Sequence, residues 1–178
     1  TDLQSVYPDL SKFPQVTLTY PKTSDNDKIA AKLQSDFEAY LGLTANQIKI
    51  FGEDFNKIVS DVQTFKLQFY ILAWIADYPD AQDWLSGQFT STSANNDQNA
   101  RIPGFDQQAA KADVDQNQTE RLSIYNQMEE EAVDNVAWIP YDQDKNLYVV
   151  EPYVHGFTID AGGLTPDDVW ANVYITQH

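Results

Sequence analysis

Phe65-Lys66-Leu67-Gln68-Phe69-Tyr70-Ile71-Leu72-Ala73-Trp74 alternates apolar and polar residues at its start and becomes apolar on both faces from Phe69 onward. The first pattern is that of a half-buried strand and the second that of a strand covered on both sides, so the stretch predicts a central strand with helices packed against either face. Working toward the N-terminus, Val16-Thr17-Leu18-Thr19-Tyr20 alternates strictly and is closed by Pro21, and Gln47-Ile48-Lys49-Ile50-Phe51 gives a second short strand. Between them Ser24 stands as an N-cap with Asp27 three residues on. Ile29, Leu33, Phe37 and Leu41 then recur at four-residue spacing until Gly42 stops the helix. Phe55, Ile58, Val59 and Val62 mark another amphipathic helix. Strand, helix, strand, helix, strand at these lengths implies βαβ crossovers: an α/β fold, an open mixed sheet with helices on both faces.

Toward the C-terminus, Asp80 reads as the N-cap of a helical pattern from Ala81 to Phe89, and Ser91 to Asn99 is a small, polar surface loop. Helical spacing resumes with Phe105, Ala109 and Ala112. It returns with Leu122, Tyr125, Met128, Ala132 and Val136 in a longer segment opened by Thr119. Leu147 to Val150 and Tyr153 to Phe157 read as short strands around Pro152, with a turn at Asp160-Ala161-Gly162-Gly163. A chain of 178 residues suits one globular unit, or two small ones, and buries roughly 70% of its unfolded surface.

The charge balance narrows the function. With 27 acidic residues against 11 basic ones, the net charge is -16. Neither phosphate neutralisation on nucleic acid nor attraction to an anionic membrane surface is expected from that balance. There is no cysteine, hence no disulfide framework, thiolate metal site or thiol nucleophile. No apolar run approaches the length of a membrane span, and Thr1 to Leu10 carries no signal-peptide pattern. Asp142-Gln143-Asp144-Lys145-Asn146 opens like a calcium loop, but Leu147 stands where Gly is needed and Tyr153 where Glu is needed, which makes it a turn. His155 and His178 form no zinc pair, and no nucleophile elbow or phosphate loop is present, so no cofactor is expected.

The densest chemical cluster is Trp74-Ile75-Ala76-Asp77-Tyr78-Pro79-Asp80-Ala81-Gln82-Asp83-Trp84, just beyond the expected buried strand. Ligands of open α/β sheets bind outside the carboxyl ends of the strands. Asp77 stands at that edge, with Trp74 and Tyr78 available to exclude water and offer a stacking face. A carboxylate so placed suits a cationic group. The other reading is that Asp77 caps the following helix and the aromatics are core. An enzymatic reading pairs Asp77 with Asp80 or Asp83 as acid and base of a hydrolase.

The order of strand 16–20, helix 24–41 and Ala73-Trp74-Ile75-Ala76-Asp77-Tyr78-Pro79-Asp80 resembles the C-terminal lobe of the extracytoplasmic oligopeptide- and dipeptide-binding proteins of ABC importers. Asn95, Phe105-Asp106, Arg121 with Tyr125, Ile139-Pro140-Tyr141 and Val154-His155-Gly156 continue the likeness, which covers roughly residues 14 to 175. The resemblance implies a periplasmic-binding-protein-like lobe that binds a peptide without covalent chemistry and hands it to a membrane permease. It implies Asp77 as the partner of the peptide's α-amino group and Trp74 as a pocket wall, with Asn95, Asn96 and Tyr141 as weaker candidates for the cleft; Tyr78 joins the candidate set from its place beside Asp77. Residues 1–13 would then be a lead-in, 14–157 the ligand-binding lobe, and 158–178 a return toward a first lobe. An oligosaccharide in place of the peptide is the alternative within the family. Location outside the cytoplasmic membrane follows, in the periplasm or lipid-anchored, although the first lobe and the anchoring cysteine that members carry have no counterpart in these residues.

Overall fold

Val16–Pro21 (β1) and Ile48–Glu53 (β2) pair in parallel in the computed structural model of the chain, Val16 opposite Ile48 through Pro21 opposite Glu53. The structure describes residues 2–143, 145, 147–159 and 170–177. It divides into two compact units, Thr1–Trp74 with Asp97–Asn99, and Ile75–Asn96 with Ala100–His178.

In the first unit a short helix, Asp2–Val6 (α1), precedes β1, and Ser24–Leu41 (α2) makes the crossover between β1 and β2. The helix cap is Thr23 rather than the expected Ser24: its Oγ1 accepts the Asn26 N–H at 3.1 Å. Asp25 and Asp27 place negative charge at the positive end of the helix dipole. Asp27 also accepts the Tyr20 hydroxyl at 2.9 Å, which fixes the helix start to the end of β1. Gln34 Nε2 donates to the Ile48 carbonyl at 2.6 Å, holding the same helix to β2. Gly42, at φ 73°, ends α2 as the sequence predicts. Leu18, Tyr20, Ala30 and Ile71 form the buried centre, with Leu33 and Phe69 packed against it.

The third strand is not the one expected over 65–74. Phe55–Gln63 (α3) is capped by Asp54, and it ends with Phe65 N–H donating to the Val62 carbonyl and Lys66 N–H to the Asp61 carbonyl, both at 2.8 Å. This paired closure takes Phe65 into the left-handed region at φ 54° and consumes the first two residues of the expected strand. Only Tyr70 forms a bridge, parallel and beside Thr19. Thr19 N–H donates to the Phe69 carbonyl at 3.1 Å and Ile71 N–H to the Thr19 carbonyl at 2.9 Å. The spatial order is therefore β2, β1, then a stub at 69–71.

In the second unit the expected helix 81–89 is broken at Leu85 into Ala81–Trp84 (α4) and Ser86–Phe89 (α5), whose first two residues, Ser86 and Gly87, are poor helix formers. Phe105–Ala112 (α6) and Gln118–Asp134 (α7) pack together, with Phe89, Phe105, Ala109, Tyr125 and Met128 in one core. The cap of α7 is Asn117, accepting from the Thr119 and Glu120 N–H groups, rather than Thr119. Val154–His155 (β3) pairs antiparallel with Tyr174–Ile175 (β4). Leu147–Val150 is not a strand. Among the described residues no strand pairs with it, and an isolated apolar run gains little without a partner; Leu147 and Val149 stay 93% and 98% exposed. The expected turn at 160–163, Asp144 and Asn146 of the 142–146 turn, and most of 158–178 lie outside the described residues. The class remains α/β, with one parallel and one antiparallel pair among the described residues in place of a broad sheet.

At the end of α7, Val136 N–H donates to Val133 and Ala137 N–H to Ala132, both at 2.9 Å, with Val136 at φ 55°. A β-branched side chain in this conformation is strained by roughly 1–2 kcal/mol, and Gly avoids that at an entropic cost of about 0.5–1 kcal/mol. Val136 is largely exposed and little packing is lost with it. Val136→Gly is expected to stabilise the chain by about 0.5–1 kcal/mol in urea unfolding.

Candidate ligand-binding site

The loop between buried Ala76 and the start of α4 presents Asp77, Tyr78 and Pro79 to solvent. It is held from its C-terminal end. Asp80 Oδ1 accepts the Gln82 N–H at 2.8 Å as N-cap of α4, and Asp80 N–H donates to the Tyr78 carbonyl at 2.8 Å. Capping therefore falls to Asp80. The Asp77 N–H donates to Asp83 Oδ2 at 3.3 Å, and its own carboxylate has no protein partner among the described residues.

Asp80 is fixed in turn by Arg121 on α7. Nη1 and Nη2 donate to the two carboxylate oxygens at 2.9 and 2.6 Å, a forked pair with side-chain exposures of 12% for Arg121 and 34% for Asp80. Arg121 Nε donates to the Ala112 carbonyl at 3.1 Å, and the guanidinium carbon stands 4.9 Å from the centre of the Tyr125 ring. The Tyr125 hydroxyl donates to Asp113 Oδ1 at 2.6 Å, and Ser86 Oγ donates to the same oxygen at 2.7 Å. These contacts connect the start of α4, α5, the α6–α7 turn and α7. The hydrogen bonds from Arg121, followed by that from the Gln82 N–H, hold the Asp80 carboxyl below its ordinary range. Burial, then hydrogen bonding to Asp113, pushes the Tyr125 phenol up.

This geometry does not favour the hydrolase reading. Asp80 is committed to the cap and the ion pair, and Asp83 is buried beneath the Asp77 N–H. A general acid or base must exchange its proton freely near the operating pH.

The other expected residues have separate surroundings. Tyr78 is 42% exposed and donates from its hydroxyl to Gln82 Oε1 at 3.3 Å; burial, then the charges of Asp83, Asp80, Asp113 and Asp77, push its phenol up. Tyr78 also borders an open groove of about 460 Å³ that runs past Ser86, Thr90 and Ser93 to Asp106 and Asp113. Asn95 is exposed, with its N–H on Ser93 Oγ at 3.0 Å. Asn96 is buried: Nδ2 donates to the Thr90 and Ala100 carbonyls at 3.1 Å each, while Oδ1 accepts the Ala100 N–H at 2.7 Å. Its amide closes the polar loop and is fully engaged there. Tyr141 is exposed and is not among the residues bordering the groove, and Trp74 is half-buried at the end of the first unit. Periodicity and spacing did not point to Asp113, or to Arg121 as the partner of Asp80. A signal was available in Arg121, one of two arginines in the chain, which lies four residues from Tyr125 on the packed face of a helix.

The fold is of a periplasmic-binding-protein-like class. Against solved structures, the chain superimposes with a TM-score of 0.79 on Haemophilus influenzae OppA in complex with the peptide RPPGFSPFR, at 21% identity over 99% of this chain and 34% of that one. Its sequence relatives are dipeptide- and oligopeptide-binding proteins. The chain is similar to the dipeptide-binding protein DppE of Bacillus subtilis, 28% identical over 91% of this chain and 29% of DppE. It is also similar to the periplasmic oligopeptide-binding protein OppA of Salmonella typhimurium, 26% identical over 90% of this chain and 28% of OppA. The chain thus spans under a third of the length of these relatives. No family model matches it. Among the described residues no helix is long and apolar enough to cross a membrane.

Asp80→Asn keeps a capping side chain and loses the ion pair, at an expected cost of about 1–2 kcal/mol given the partial exposure of Asp80. Asp80→Ala loses the cap as well and costs about 1 kcal/mol more. Because the folded pKa of Asp80 is lowered, the stabilisation is complete above the unfolded value near ~3.9 and is lost as pH falls through the folded value. Urea unfolding at pH 7 and pH 3 checks both: the difference between wild type and Asp80→Asn narrows in acid.

Proposed function

We propose that this chain is the ligand-binding lobe of a solute-binding protein that delivers oligopeptides to the permease of an ABC importer, outside the cytoplasmic membrane. The observation that carries the reading is the Asp77 carboxylate, exposed and, among the described residues, without a protein partner on a loop that is otherwise tightly bound. Asp77 fixes the ligand's α-ammonium group. Tyr78 flanks it, and Trp74 and Asn95 complete the candidate set with Tyr141; Asn96 is left out because its amide is engaged in its own loop. Support also comes from the relatives, which are named for dipeptide and oligopeptide binding rather than for catalysis. Nothing comparable favours an oligosaccharide.

The energetics require a second surface. An ammonium and a carboxylate about 4 Å apart attract by roughly 1 kcal/mol in bulk water and about 4 kcal/mol at an effective dielectric of 20. Closure of a first lobe over Asp77 supplies that change, in the manner of a clamp. The same first lobe would cover the apolar side chains of Leu147 and Val149. In residues, 14–157 form the binding lobe, 1–13 its lead-in, and 158–178 the return toward the first lobe.

Calorimetry on the full-length protein with a short peptide and its N-acetylated analogue tests the amine anchor. The free-amine peptide is expected to bind at least about thirtyfold more tightly, about 2 kcal/mol, and Asp77→Asn to abolish that preference. Equal affinities in the wild type would overturn the assignment of Asp77.

A further inference from the structure

We infer that Arg121 is a positioning residue for ligand binding: acting through Asp80, it sets where the Asp77 carboxylate stands. The inference rests on the reading of Asp77 as the amine anchor and adds a residue 44 positions away in the chain. Among the described residues Asp77 has one hydrogen bond of its own holding it, from its N–H to Asp83, and Asp83 belongs to α4, the helix that Asp80 caps. Two residues, Tyr78 and Pro79, separate Asp77 from Asp80, and the Asp80 N–H closes back on the Tyr78 carbonyl. The carboxylate of Asp80 is therefore the fixed point from which the loop hangs.

Arg121 is what fixes it. Its fork engages both oxygens of Asp80, and the fork is itself immobilised by the Ala112 carbonyl and by the face and hydroxyl of Tyr125, which contacts Asp113. Lysine cannot reproduce this, since a single ammonium offers neither the planar fork nor the stacking on Tyr125. With the fork lost, Asp80 retains the cap but gains freedom to rotate. The first turn of α4 then loosens, and with it the Asp83 acceptor that holds the Asp77 N–H. The ligand amine would meet a carboxylate spread over several positions rather than one, a loss of preorganisation.

The experiment measures affinities of the full-length protein for a free-amine tripeptide and its N-acetylated form, in wild type, Arg121→Lys and Asp80→Asn, with thermal unfolding recorded alongside. The expected result is that either variant weakens the free-amine peptide about tenfold and leaves the N-acetylated one unchanged, so that the preference shrinks. Asp80→Asn retains a capping side chain, and it carries the test if Arg121→Lys does not fold. An unchanged preference, or equal weakening of both ligands, would reduce Arg121 to a purely structural role and overturn the inference. A wild type that shows no preference would instead overturn the Asp77 reading on which it rests.

Discussion

The forked ion pair between Arg121 and Asp80 is the constraint on which the candidate site depends. Taking both groups partly out of water is costly, and an isolated pair at this depth would contribute little. Here the same carboxylate also caps α4, and the same guanidinium covers an aromatic ring and donates to a helix-end carbonyl. Each partner thus meets several requirements at once. A long helix and a short exposed loop, 41 residues apart in the chain, are joined at one point. Asp113 extends the junction by accepting from Ser86 and Tyr125.

That arrangement separates two roles that adjacent acids could have shared. Asp80 and Asp83 are spent on structure, one in the cap and the ion pair, the other on the Asp77 backbone. Asp77 alone of the three has an exposed carboxylate with no partner among the described residues. An exposed carboxylate binds a cation weakly in open water, and the proposed role therefore calls for a partner surface that lowers the local dielectric. The relatives, more than three times as long as this chain, have sequence to spare for such a surface.

What could be read in the sequence follows the range of the interactions. Helix α2 was legible to within one residue, since its apolar stripe and Gly42 are local signals, and β1 and β2 were legible from alternation. The stretch 65–74 was misread because an apolar run reports burial, not hydrogen-bond partners. Phe65 and Lys66 close α3 through their backbone N–H groups, which no side-chain pattern announces. Leu147–Val150 fails as a strand for a related reason: strand propensity does not supply a neighbour. At the site, the helical pattern from Ala81 favours Asp80 as the cap but leaves a capping role for Asp77 open, and Asn96 is expected in the cleft. Its three bonds to main-chain groups depend on a loop geometry that residue identity leaves open. Arg121 entered only through a family resemblance, because a pairing across 41 residues leaves no local trace.

The most direct measurement is a crystal structure of the full-length protein with a bound tripeptide. The peptide's terminal nitrogen is predicted to lie about 3 Å from an Asp77 carboxylate oxygen, with the Arg121–Asp80 fork intact beneath the loop. A peptide whose terminal nitrogen is held elsewhere, with Asp77 facing solvent, would contradict the central claim.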